Sequence, residues 1–167
     1  LVLAVLTILY GQGMGIVFGL NEDSIKNRLE ASATEVRDSV YEGNEAAMQA
    51  VLDKSWKYMK RAHLHAGGMG TTALGLLILL GLLSSSRLLN LAFGVALGAG
   101  GLGYSVFWMW AGFRAPALGS TGAAKESLAW LAMPTSGAFV LATIGMLILL
   151  VVTYGRRRSL PADDSAA

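Results

Sequence analysis

Cysteine is absent from this chain, so disulfides, thiolate metal sites and iron–sulfur clusters are excluded. Proline is scarce, at 3 residues, and only 14% of the 167 residues carry charge. Set beside 54% hydrophobic residues, so little charge excludes an ordinary soluble domain and points to a membrane protein. The formal charge of +2 is small and dispersed, which argues against a nucleic-acid partner. No carboxylate interrupts the long apolar runs, which argues against a proton relay or cation transporter built on intramembrane acids. Phosphate-loop, dinucleotide and G-x-S-x-G patterns are missing as well, so nothing indicates nucleotide chemistry or a hydrolase.

Four apolar runs are present. Residues 1–20, 66–83, 88–113 and 128–154 are free of charge up to their boundaries, and each is long enough to cross roughly 30 Å of hydrocarbon as a helix. Residues 1–20 read as a span rather than a signal peptide, because no small-x-small cleavage site stands clearly before Asn21. Leu1, rather than methionine, opens the sequence, so a lost or processed start is expected. The expected fold class is therefore an all-α integral membrane protein, with four transmembrane helices in an antiparallel bundle.

Residues 21–65 are polar, with apolar positions at helical spacing. Ile25, Leu29, Val36 and Val40 form one stripe; Met48, Val51, Leu52, Ser55 and Met59 form another. Asn21 to Ser24 offers a stop for the first span and a cap for a new helix, and Glu42-Gly43-Asn44 reads as a turn. The segment is expected to be an extramembrane helical hairpin whose second arm runs on into the second span, with only Gly67-Gly68 able to interrupt it. Ala115 to Lys125 reads as a loop, Pro134 as a start or kink of the fourth helix, and residues 155–167 as a polar tail that frays toward its end.

Orientation rests on basic residues. The hairpin side holds nine: Lys26, Arg28, Arg37, Lys54, Lys57, Lys60, Arg61, Arg114 and Lys125. The other side holds four, Arg87 and the Arg156-Arg157-Arg158 cluster. The hairpin cations are mixed with acids, whereas the arginine cluster abuts a membrane end with no acid beside it. Weighting that cluster places both termini in the cytoplasm and the hairpin outside, in an inner or plasma membrane of bacterial type.

Small residues recur every four positions: Gly11, Gly15 and Gly19 on the first span, Gly67, Thr71 and Gly75 on the second, Gly94 and Gly98 on the third. That spacing permits close helix crossing, and internal packing is its first reading; room for a flat ligand or a lipid tail is its second. Gln12, an amide near the middle of the first span, can hydrogen-bond across helices. Trp56, Trp108, Trp110 and Trp130, with Arg156, Arg157 and Arg158, read as interfacial anchors.

His63 and His65, the only histidines, sit where charged sequence passes into an apolar run. Imidazole suits copper, zinc and haem iron, and Met69 lies one helical turn beyond His65. Two residues apart is about 200° around an ideal helix, so the rings converge on one metal only if the segment is not helical. The readings are a copper or zinc site, an axial ligand of haem b completed by methionine or a second subunit, proton chemistry, or simple interfacial anchoring. Two functional expectations follow. One is a small redox or respiratory membrane protein that uses His63, His65 and Met69 as ligands. The other is a non-catalytic accessory subunit whose hairpin and glycine faces dock a partner. Either way the chain is expected in contact with the lipid bilayer, as a homo-oligomer or within a larger membrane complex, and a non-enzymatic role is favoured.

Overall fold

A computed structural model describes residues 1–83 and 86–158, with side chains placed up to Gly155. Ser84 and Ser85 of the second connection, the side chains of Arg156, Arg157 and Arg158, and residues 159–167 of the expected tail lie outside the described residues. The described chain is all-helical, and four of its helices are long and apolar enough to cross a membrane. The order is α1 (Val2–Thr34), α2 (Arg37–Val40), α3 (Glu45–Leu82), α4 (Arg87–Leu118), α5 (Thr121–Glu126) and α6 (Ala129–Arg158).

Three stretches test the sequence reading, and one of them, the end of α4, differs from it. At Asn21, where the sequence offers a stop and a new start, two helical stretches join across one non-helical residue (φ −132°, ψ 24°), and α1 continues to Thr34. The Asn21 amide donates to the Val17 carbonyl at 3.3 Å, and the Glu22–Lys26 ion pair supports the turn beyond. Helix α4 runs to Leu118, through Pro116, and closes on Gly119 in the left-handed conformation (φ 60°). Ser120 then caps α5, so most of the expected loop is helical. Helix α3 crosses Gly67-Gly68 without a break. Its 38 residues span about 57 Å, far more than the ~30 Å hydrocarbon core needs.

The chain reverses at Glu42 (φ 54°) and Gly43 (φ 71°), after which the Asn44 side chain accepts from Ala47 N at 3.0 Å and caps α3. Buried Ala33, Tyr41 and Met48 fasten the reversal. The Tyr41 hydroxyl donates to the Pro116 carbonyl at 2.6 Å and ties it to the end of α4.

Helix α4 is the hub, packed against α1, α3, α5 and α6. One core cluster joins Met14, Phe18, Met59, Phe107 and Trp108; a second joins Ala4, Leu77, Leu97, Phe139 and Met146. Contact with small residues sets the helix crossings. A methyl added at Gly11 would fall 2.9 Å from Gly67 N, and one at Gly98 would collide with Leu3 Cβ. Met59 faces Gly112, Met69 faces Gly101, and Thr135 and Phe139 face Gly100. Thr7, fully buried, reaches the Gly98 carbonyl at 3.3 Å while also bonding to Leu3 O. That is the cross-helix bond expected of Gln12, which is exposed instead.

Candidate functional site

The local sequence around the histidines is helical throughout, so their two-residue spacing turns the rings to different neighbours. His63 faces α1. Its Nδ1 lies 2.7 Å from the Gly11 carbonyl, so the Nδ1–H donates and Nε2 takes no part in this bond. The ring fills the space above Gly15, where an added methyl would meet Cε1 at 2.9 Å. Phe18 stands edge-on to it at 6.4 Å between centroids.

His65 faces α4 instead. It is half-buried, 5.1 Å from the Tyr104 ring and 6.1 Å from the Trp108 ring. The helical geometry therefore keeps the two imidazoles from converging on one ion. Met69, a turn further along α3, lies against Gly101 of α4. Among the described residues no group of three or more His, Asp or Glu side chains is arranged to hold a metal ion.

The aromatic residues divide into two groups. Trp110 and Trp130 are exposed, 6.4 Å apart in an edge-to-face pair, as suits a membrane interface. Trp108 is only 8% exposed and belongs to the core, edge-on to Tyr58 at 4.8 Å and to Phe107 at 5.1 Å. Its indole N–H has no acceptor among the described residues. The Arg61 guanidinium lies 4.5 Å from the Trp108 ring centroid and covers its face. Trp56 is half-buried, packed on Phe18 at 5.2 Å with the Lys26 ammonium 5.5 Å from its ring.

The candidate glycines divide likewise. Gly11, Gly15 and Gly98 are occupied by the chain's own packing, whereas Gly19, Gly67 and Gly94 have open space where a side chain would stand. Sequence reasoning missed Thr7, the Tyr41 bond to Pro116 and the Arg61–Trp108 stack. Each joins residues far apart in the chain, and no local spacing marks such a pair.

Two clefts accompany these groups. One of about 320 Å³ lies between the hairpin arms, lined by Lys26, Glu30, Gln49, Asp53, Trp56 and Lys60 among others. The other, about 460 Å³ and almost wholly apolar, lies among Tyr10, Met14, Phe18, Met59, Met109 and Phe113. Comparison with protein families, with curated proteins and with solved structures finds no match.

Proposed function

We propose that this chain is a non-catalytic subunit of a membrane assembly, an antiparallel four-span bundle that docks a partner. The antiparallel arrangement is supported by the order of the contacts: Ile8 with Gly70, Gly11 with Gly67, Gly15 with His63 and Phe18 with Trp56. Helix α6 meets α4 in the same reversed sense, through Gly145 with Phe93 and Phe139 with Gly100.

The observation that carries the docking role is the isolation of α6. It packs on α4 and barely touches α3, and only 6% of its apolar stretch is buried, against 39% for α4. Val140, Leu141, Ile144, Leu147 and Ile148 stand exposed along it. Lipid satisfies such a face, but a partner helix adds the close van der Waals contact that lipid tails supply less well. Both termini lie in the cytoplasm in this proposal, with the hairpin outside.

The chain has no cysteine, so a single cysteine at Leu141 gives a clean probe. Crosslinking it in native membranes is expected to trap one defined partner or a second copy at fixed stoichiometry. A Leu141→Cys protein that stays monomeric in those membranes overturns the docking role.

A second reading, haem b, copper or zinc bound through His63 with His65 or Met69 as further donors, is favoured by one detail. The Gly11 carbonyl fixes the His63 tautomer and leaves Nε2 as the ligating nitrogen, the arrangement that ligand histidines commonly have. Because the rings diverge, a second chain would complete the coordination. An oxidised and a dithionite-reduced spectrum of gently purified protein, with elemental analysis, decides this reading. A Soret band or stoichiometric metal lost in His63→Ala supports it; a colourless, metal-free sample removes it.

A further inference from the structure

We propose that the outward face of α3 binds an anionic phospholipid, its phosphate held by Lys54, Lys57, Arg61 and Lys125 and an acyl chain lying over Leu64 and Gly68. Lys54, Lys57 and Arg61 follow one another at three- and four-residue steps, which puts them on one stripe of α3. Lys125 joins them from α5, and together they line a cleft of about 560 Å³ with Asp53 as its one carboxylate. Four cations against one acid leave an excess of three positive charges, and all four side chains belong to exposed residues.

None of these cations forms an ion pair among the described residues. Among the described residues the ion pairs are Lys26–Glu22 and Arg37–Glu45, and neither involves this cluster. Arg61 is also held in place. Its guanidinium lies over Trp108 at 4.5 Å and near Tyr58 at 5.8 Å, which uses its face and leaves its N–H edges for an anion. An oriented guanidinium with neighbouring ammonium groups matches the oxygens of a phosphodiester.

The stripe then changes character. Leu64 (68% exposed), Gly68, Thr71 and Gly75 continue at the same spacing, all exposed, and neither glycine has anything within 4 Å of where a side chain would stand. A charged head site therefore runs directly into a shallow track of small and apolar residues, where the charge-free part of α3 begins at Ala66. A free anion would use only the first part of this surface; a phospholipid uses both. On the hairpin side, outside in the proposed orientation, these cations attract an acidic lipid of the outer leaflet as juxtamembrane cations do at a cytoplasmic one.

The test is native mass spectrometry of the full chain in detergent, titrated with phosphatidylglycerol or with phosphatidylcholine. Phosphatidylglycerol is expected to bind at least tenfold more tightly. Lys54→Gln, Lys57→Gln and Lys125→Gln are each expected to weaken it about fivefold, as loss of one juxtamembrane cation implies. These three are exposed and in no ion pair among the described residues, so the test does not depend on Arg61→Gln keeping its fold. Arg28→Gln, which removes an exposed charge from the other arm of the hairpin, is expected to leave binding unchanged. Equal binding of the two lipids overturns the proposal, and so does an equal loss in Arg28→Gln. Displacement of phosphatidylglycerol by millimolar inorganic phosphate also overturns it, because the occupant would then be a free anion.

Discussion

His63 and Gly15 act as one unit. The ring occupies the volume that glycine leaves open and reaches past it to the Gly11 carbonyl. Gly15→Ala is therefore expected to destabilise the protein by about 1–3 kcal/mol, the usual cost of overpacking a tight contact. His63→Ala removes a hydrogen bond inside the packed interface, at about 1 kcal/mol or more. Combined, the two changes should cost less than their sum, since the smaller side chain makes room for the new methyl. Thermal unfolding in one detergent, run as a double-mutant cycle, measures this; strict additivity would contradict the coupling. Tyr41 also reaches a residue far from it in sequence. Tyr41→Phe is expected to lose about 1 kcal/mol with the Pro116 bond. Burial pushes the Tyr41 hydroxyl above its ordinary value near 10, so the fold favours the neutral phenol. Its contribution is complete below about pH 10, the unfolded value, and is lost as pH rises through the raised one. Tyr41→Phe should accordingly show a shallower loss of stability between pH 9 and 11 than the parent chain.

The helices divide into packed faces and free ones, and their glycines report which is which. Gly98→Leu places side-chain atoms where Leu3 and Ala4 already stand, so α1 must separate from α4. Loss of the folded species in size-exclusion chromatography is the expected result. Gly94→Ala meets nothing and exchanges a poor helix former for the best one, so it should be neutral or stabilising by up to about 1 kcal/mol. If Gly94→Ala disrupts assembly in native membranes while leaving the purified chain intact, the partner docks on that face. The extent of α3 has a similar logic. The Gly67-Gly68 pair does not interrupt α3: the Gly67 backbone packs against Gly11 of α1, while Gly68 stands exposed on the other face.

At the scale of the molecule, α4 binds the rest together while α6 hangs on its side. Such a molecule exposes a long apolar surface to lipid or to another chain, and its topology is open to test. A protease acting from outside on intact cells should cut at Glu42-Gly43-Asn44; cutting only from inverted vesicles would overturn the proposed orientation. Much of this molecule was legible in its residues. Runs without charge, ended by charged residues, mark four helices because an apolar helix is the simplest way to satisfy backbone groups in lipid. The turn ending at Asn44 was marked by its residues, whereas the helix that Ser120 caps falls in a stretch that reads as a loop. Helical periodicity alone also predicts that His63 and His65 diverge once the helix is continuous. What each ring meets is another matter. That His63 lies on Gly15, that Trp108 is core rather than girdle, and that Thr7 rather than Gln12 bonds across helices depend on helix rotation and depth. Those are set by the sum of contacts between segments distant in sequence, so only the tertiary structure decided them.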